Sequence, residues 1–260
     1  MHRIMSDLSL VFVLGGPGSG KGTNCDRIKS QFNYIHLSTG DLLRAEKDSG
    51  SELGVQLAET MARGDLVSTD QVLALLKKAM MEAAGGELKG RFLVDGFPRA
   101  IDQVEAFEAS IAKPTLVLAF EASEAVLEER LVNRGKTSGR ADDNLESIRK
   151  RFATFKSQSE PVITHYSSTR PDIVKIINSE RPVDEVYQDV IPVFEAEVAT
   201  LVSFGRGGVI FSFPGLLTLS LLQGWNTTLF FKHLTTRANP SSPPFNSFFR
   251  SRPLPVPQRL

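Results

Sequence analysis

Short apolar runs alternate with stretches of helical periodicity over the first 204 residues. Near-continuous hydrophobicity is typical of strands that are covered on both faces of a parallel sheet. Four runs have this character, at residues 8–14, 91–95, 115–120 and 173–177, and residues 34–37 are a candidate fifth strand. Because strands that alternate with helices are joined by right-handed crossovers, the pattern predicts an α/β fold with a doubly wound parallel sheet.

Capping motifs and periodicity predict the helices between these strands. Residues 68–71 and 143–146 have the spacing of a capping box, and each predicts that a helix begins there. Apolar positions between residues 183 and 198 predict a last helix, in which Pro192 should produce a kink.

The glycine-rich turn after the first strand is the most informative segment. It reads Gly-Gly-Pro-Gly-Ser-Gly-Lys-Gly-Thr from Gly15 to Thr23, and a helix is predicted from about Lys21. Glycines let successive backbone N–H groups point at a phosphate, and the helix N-terminus adds positive potential. The run is close to the Walker A pattern, but Gly22 stands at the usual Ser/Thr position and the hydroxyl follows at Thr23. A Rossmann turn is excluded because it would need glycine at Lys21 or Thr23.

Three further segments accompany the glycine-rich turn: Leu-Ser-Thr-Gly-Asp-Leu-Leu-Arg at 37–44, Asp-Gly-Phe-Pro-Arg at 95–99 and a short segment at 133–144. In this order, the four segments resemble the nucleoside monophosphate kinases, and most closely the short-lid cytosolic adenylate kinases. The resemblance covers about residues 8–203. It implies a five-stranded P-loop NTPase sheet with a helical monophosphate-binding insertion (38–67) and a short lid (133–143).

The resemblance also implies roles for individual residues. The expected ATP-binding residues are Gly18, Ser19, Gly20, Lys21, Gly22, Thr23, Arg134 and Arg181. The expected AMP-binding residues are Thr39, Arg44, Asp65, Leu66, Val67, Gly96, Phe97, Pro98, Arg99, Gln103, Arg140 and Arg151. The expected catalytic residues are Lys21, Arg99, Arg134, Arg140 and Arg151. Thr23 and Asp95 are expected to orient Mg²⁺ through water.

The implied activity is reversible, Mg-dependent phosphoryl transfer from ATP to AMP, which gives two ADP. Several basic side chains suit this chemistry because the transferred phosphoryl group spreads charge over its oxygens. Gln103 alone does not decide the acceptor, since its amide can pair with adenine, cytosine or, after a flip, uracil. Thr39 together with Gln103 resembles the adenylate kinases, and a UMP/CMP kinase is the alternative. Cys25 and His36 are interpreted as packed residues without a catalytic part.

Two other functional classes are less well supported. A P-loop hydrolase or GTPase is disfavoured because there is no Asn-Lys-x-Asp motif and Gly96, rather than glutamate, follows Asp95. A noncatalytic nucleotide-binding adaptor is suggested only by the unmatched C-terminal segment.

Composition divides the chain near residue 204. The chain has 30 basic and 30 acidic residues, but residues 205–260 contain no Asp or Glu, so residues 1–204 carry a net charge of −6. An acidic body argues against nucleic-acid binding.

A single cysteine excludes a disulfide framework and fits a cytoplasmic protein. We expect a monomeric kinase domain at 1–204, followed by a basic, Pro- and Phe-rich tail that is disordered. A membrane anchor at 207–222 is disfavoured because Pro214 and Gly215 interrupt it.

This division makes a testable prediction about the tail. A chain that ends at residue 204 should retain phosphoryl transfer, because the motifs that resemble the family all precede the boundary. Steady-state activity and far-UV circular dichroism of the shortened and full chains check this. Loss of folded protein on shortening would show instead that the tail is structural.

Overall fold

The computed structural model describes residues 8–63, 65–139 and 143–205, with side chains described up to residue 200. Five parallel strands form one sheet in the spatial order β2-β3-β1-β4-β5. Their bounds are β1 Leu8–Gly15, β2 Ile35–Ser38, β3 Gly90–Asp95, β4 Leu116–Glu121 and β5 Val174–Asn178. The predicted doubly wound α/β sheet is confirmed, and the candidate strand at 34–37 forms its edge strand β2.

Helices connect the strands and cover both faces of the sheet. Their bounds are α1 Lys21–Phe32, α2 Thr39–Asp48, α3 Glu52–Arg63, α4 Thr69–Ala83, α5 Ile101–Ser110, α6 Glu124–Gly135, α7 Leu145–Thr154, α8 Glu160–Thr169 and α9 Val183–Gly205. A π-helical turn, Phe155–Ser159, joins α7 to α8, and a 3₁₀ turn, Pro171–Ile173, precedes β5. None of the described helices is long and apolar enough to cross a membrane.

The apolar residues form a separate core on each face of the sheet. Helices α4, α5 and α8 pack on one face, where Phe12 of β1 contacts Phe107 with ring centroids 5.0 Å apart. Helices α1 and α9 pack on the other face, where Cys25 and Ile28 meet Val190 and other apolar residues of α9. This two-sided cover explains why β1, β3 and β4 are almost entirely apolar.

Three local predictions differ from the structure. Strand β5 is an edge strand and is not covered on both sides, so Ile176 is 53% exposed. Ser68 precedes α4 as predicted, but its hydroxyl donates to the side-chain Oε1 of Gln71 rather than capping the backbone. Asp143 does not cap α7, since Asn144 accepts the Ser147 N–H instead.

Helix α9 continues on both sides of Pro192, from Val183 to Gly205. The tail from residue 206, including the anchor considered at 207–222, lies outside the described residues, as does Arg140 of the lid.

Candidate active site

The phosphate loop joins β1 to α1 and has a backbone that glycine alone permits. Gly15, Gly18 and Gly20 have φ angles of 138°, 88° and 82°, which side-chain-bearing residues rarely adopt. A Cβ at Gly15 would lie 2.4 Å from the Phe120 carbonyl oxygen, and one at Gly18 would lie 2.8 Å from that of Leu127. The glycines therefore let the loop turn sharply while it packs against β4 and α6.

Lys21 is held by the same loop. Its Nζ donates hydrogen bonds to the carbonyl oxygens of Gly15 at 2.6 Å and Gly16 at 2.9 Å. Burial lowers the pKa of Lys21 to about 8 against the opposing effect of Asp95, and the nearby Arg99 contributes to the decrease. An anionic phosphate at this position would favour the charged ammonium.

Two concave sites open on either side of Lys21. The inner cavity has a volume of about 170 Å³, and the outer cleft has a volume of about 1130 Å³. Both are lined by Pro17, Lys21, Gly40, Arg44, Gly96, Arg99 and Arg151. The shared lining contains four basic side chains. The geometry therefore suits two anionic ligands that meet end to end at these cations.

The expected residues that the structure describes each line one or both of these sites. The inner cavity is lined by Thr39, Arg44, Asp65, Leu66, Val67, Gly96, Phe97, Pro98, Arg99, Gln103 and Arg151. The outer cleft is lined by Gly18, Ser19, Gly20, Lys21, Gly22, Thr23, Asp95, Arg134 and Arg181. Arg140 lies outside the described residues, so the structure does not place it.

Asp143 links two of the arginines, a role that the sequence analysis missed. Its carboxylate accepts two hydrogen bonds from Arg134, at 2.8 and 2.6 Å, and one from Arg151 at 3.3 Å. The side chain is fully buried, and burial raises the pKa of this carboxyl. The hydrogen bonds from Arg134 have the larger combined effect, so the pKa lies below its ordinary value. The capping-box spacing had assigned Asp143 to the start of helix α7. The helix begins one residue later than predicted, which leaves the Asp143 side chain to bond the arginines.

Thr39 and Gln103 make contacts that limit what each can offer a ligand. The Thr39 hydroxyl lies 3.0 Å from the carbonyl oxygens of both Asp95 and Gly96, so its single proton is directed to the backbone. The Gln103 Oε1 accepts the Arg99 backbone N–H at 2.8 Å. This bond orients the amide and leaves its NH₂ group as the donor for a ligand.

Arg130 is a second residue that the sequence analysis missed. Its guanidinium donates to the carbonyl oxygens of Ser179 at 2.7 Å, Glu180 at 3.2 Å and Arg181 at 3.3 Å. It thereby holds the segment between β5 and α9, which lines the outer cleft. The Arg181 side chain forms an ion pair with Asp189 of α9. No sequence motif marks Arg130, whose partners are backbone atoms about 50 residues away.

Comparison with known proteins identifies the family of this chain. The adenylate kinase family model matches residues 13–170. The chain belongs to the adenylate kinase family. It is 51% identical over 181 residues to adenylate kinase isoenzyme 1 of Gallus gallus, with 70% of this chain and 91% of the relative covered. It is 46% identical over 190 residues to the isoenzyme 1 of Homo sapiens, with 73% and 96% covered.

One similar protein is named for a different activity. The chain is 46% identical over 184 residues to a uridylate kinase of Saccharomyces cerevisiae, with 70% of this chain and 89% of the relative covered. This member of the adenylate kinase family is therefore a nucleoside monophosphate kinase, a phosphotransferase that acts on nucleotides.

Replacing Asp143 tests whether its buried ion pairs contribute more to stability than an exposed ion pair does. We expect Asp143→Asn to lower the free energy of unfolding by about 1–3 kcal/mol, because buried bonds to two guanidinium groups are weakened. Asp184→Asn is the matched control, since its carboxylate is 83% exposed in a pair with Arg27 and should contribute at most about 1 kcal/mol. Urea unfolding at neutral pH measures both.

The parent and Asp143→Asn also test the direction of the Asp143 pKa shift. A carboxyl with a lowered folded-state pKa stabilises the protein above its ordinary pKa of 3.8, and this stability is lost as pH falls through the folded-state value. The stability difference between parent and Asp143→Asn should therefore shrink in acid. A difference that grows below pH 3.8 would contradict the assignment.

Proposed function

We propose that the protein transfers the terminal phosphoryl group of MgATP to AMP, giving two molecules of ADP, and that the reaction is reversible. The observation that carries this proposal is the meeting of the inner cavity and the outer cleft at Lys21, Arg44, Arg99 and Arg151. The lower-volume inner cavity would take the monophosphate, and the larger outer cleft would take the triphosphate.

The outer cleft supplies the groups that a triphosphate needs. The backbone from Gly18 to Thr23 would surround its phosphates at the N-terminus of α1, where the helix dipole favours negative charge. Lys21 would contact the outer phosphates, and Arg134 would contact them from α6. Arg181, on the segment held by Arg130, would lie beside the donor nucleoside.

The inner cavity supplies a complementary site for the monophosphate. Arg44, Arg99 and Arg151 would bind its phosphate, and Asp65, Leu66 and Val67 would lie beside the base and ribose. We further propose that Arg140 completes the cationic set from the lid.

No general base is needed for this reaction. The attacking group is a phosphate oxygen of the acceptor, which is largely ionised near pH 7. The protein's contribution is therefore to hold the two phosphates in line, to neutralise the charge on the transferred group and to exclude water. Without the exclusion of water, the donor would be hydrolysed.

The residues around Asp95 fit a magnesium ion bound with the donor. Asp95 and Thr23 provide oxygen atoms, the ligands that Mg²⁺ prefers, and both line the outer cleft. A Cβ at Gly22 would lie 3.8 Å from Asp95 Oδ2, an ordinary contact distance, so the start of α1 borders the space in front of this carboxylate. When bound, magnesium would neutralise charge on the donor phosphates, and Asp95 and Thr23 would orient it through water.

The orientation of Gln103 favours adenine or cytosine over uracil as the acceptor base. Because Oε1 accepts the Arg99 N–H, the NH₂ group is the donor directed to a base, and it matches the N1 acceptor of adenine and equally the N3 acceptor of cytosine. Uracil presents an N3–H donor instead and would have to share the Oε1 that already accepts the Arg99 N–H. UMP or CMP remains the alternative acceptor, as the similarity to a uridylate kinase indicates. We also propose that the enzyme acts as a monomer in the cytoplasm.

A coupled assay tests the proposal. At fixed MgATP, the full-length protein should phosphorylate AMP faster than UMP or CMP, and removal of magnesium should abolish the reaction. A preference for UMP or CMP would establish the alternative. Release of phosphate without any acceptor would indicate a hydrolase, and nucleotide binding without turnover would indicate a noncatalytic adaptor.

Lys21 offers a direct test of the phosphate loop. Lys21→Met should lower the rate of ADP formation about 100- to 1000-fold, because a cation that faces the transferred phosphate is lost. Lys29→Met is a matched control on the same helix, at an exposed position outside both sites, and should keep the parental rate. Equal rates for Lys21→Met and the parent would refute the proposed role.

A further inference from the structure

Three potential metal ligands from different elements converge beside the phosphate loop. Cys25 of α1, His36 of β2 and Asp95 of β3 each offer one ligand atom, and these atoms all lie within 4.8 Å of one another. Cys25 is fully buried, and the side chains of His36 and Asp95 are only 12% and 11% exposed. The sequence analysis treated Cys25 and His36 as packed residues, because the 58 residues between His36 and Asp95 concealed the cluster.

The sheet register explains this convergence. His36 pairs with Leu93, and Ser38 pairs with Asp95, in the parallel β2–β3 ladder. Since side chains two residues apart point to the same face of a sheet, His36 and Asp95 lie on one face. Helix α1 covers that face through Cys25, which belongs to the same core as Leu93.

His36 is presented in the manner of a metal ligand. Its Nδ1 lies 3.3 Å from Asp26 Oδ1, and because a carboxylate oxygen can only accept, this contact favours the tautomer with the proton on Nδ1. Its Nε2 is buried, has no hydrogen-bond partner and lies 3.6 Å from Asp95 Oδ2. A carboxylate on one ring nitrogen orients the lone pair of the other, as in carboxylate–histidine–zinc arrangements.

We propose that Cys25, His36 and Asp95 bind a thiophilic divalent cation, with Zn²⁺ as the best chemical match. Zinc accepts sulfur, nitrogen and oxygen ligands and commonly combines three protein ligands with one open position. That position would face the outer cleft, which His36 and Asp95 line. As the zinc–sulfur bond forms, the Cys25 thiol releases its proton to solvent.

The distances and charges are compatible with this ion. Ligand atoms of a tetrahedral zinc site lie about 3.3–3.7 Å apart. The His36–Asp95 pair at 3.6 Å therefore needs almost no movement, and Cys25, whose sulfur lies within 4.8 Å of both, needs a shift of at most about 1 Å. The Lys21 ammonium opposes a cation here, whereas the carboxylates of Asp26 and Asp95 favour one. Magnesium would not take the thiolate position, because it prefers oxygen ligands.

Zinc at this position should inhibit phosphoryl transfer. The same carboxylate, Asp95, is proposed to orient the magnesium of the donor, so the two metals would compete for it. This consequence rests on the proposed function, whereas zinc binding itself does not.

Cobalt provides a readout of the site that does not depend on activity. Co²⁺ added to the full-length protein without nucleotide should produce a thiolate-to-cobalt absorption band, which Zn²⁺ should remove. Cys25 is the only cysteine in the chain, so no other residue can produce this band. Cys25→Ser and His36→Asn should each lose it, and His165→Asn, a change outside the cluster, should keep it. Asp26→Asn should weaken zinc binding about 10- to 100-fold.

The proposal is overturned if the parent shows no cobalt–thiolate band, or if Cys25→Ser binds zinc as tightly as the parent. Circular dichroism establishes that each variant is folded, and Cys25→Ala replaces Cys25→Ser if the serine variant does not fold.

A second measurement tests inhibition separately. At fixed concentrations of MgATP and acceptor, Cys25→Ser should need at least about tenfold more zinc than the parent for half-inhibition, since it has lost one of the three proposed zinc ligands. Equal sensitivity of the two would refute the inhibitory consequence. If neither protein transferred phosphate to any acceptor, the proposed function would fail, while the cobalt spectrum would still decide the metal site.

Discussion

Repulsion among the basic side chains at the meeting point of the two sites is the constraint on which the rest of the structure depends. Lys21, Arg44, Arg99 and Arg151 all line both the inner cavity and the outer cleft. Like charges in a partly buried space repel strongly, and burial and the neighbouring arginines together lower the pKa of Lys21 to about 8. A polyanionic ligand would remove this repulsion. The protein therefore holds its cations in an arrangement that a pair of nucleotide phosphates would complete.

The fold keeps these cations in place by satisfying them with its own oxygen atoms. Backbone carbonyls of Gly15 and Gly16 accept from Lys21, and the Gly96 carbonyl accepts from Arg99 at 2.6 Å. Neutral carbonyl groups position a cation without cancelling its charge. A phosphate can then compete for the same donors, whereas a carboxylate on each cation would have weakened the site.

Carboxylates bond the other two cations: Asp41 forms an ion pair with Arg44, and Asp143 forms one with Arg151. Of these two carboxylates, Asp143 is the buried one. It bonds Arg134 of α6 and Arg151 of α7, two helices joined by the lid segment. One buried carboxylate shared by two guanidinium groups leaves net positive charge at the site while it fixes the relative positions of the two helices. Of the cluster of Cys25, His36 and Asp95, Cys25 belongs to the core that α1 covers, while His36 and Asp95 line the outer cleft together with Arg134 and Arg151.

The sequence by itself determined the elements and the chemistry that depends on contiguous residues. The glycines of the phosphate loop, the apolar strands and the Asp95–Arg99 segment are local features, so their spacing alone predicted the sheet and its phosphate-binding turn. Their roles with particular nucleotides remain predictions. Tertiary structure decided the features that join distant residues: Asp143 between two arginines, Arg130 on the backbone near Ser179, and the exposed edge at Ile176. The periodicity of apolar residues indicates which face of a helix or strand is buried. It does not indicate which other helix or strand covers that face, and the contacts of Asp143 and Arg130 depend on that neighbour.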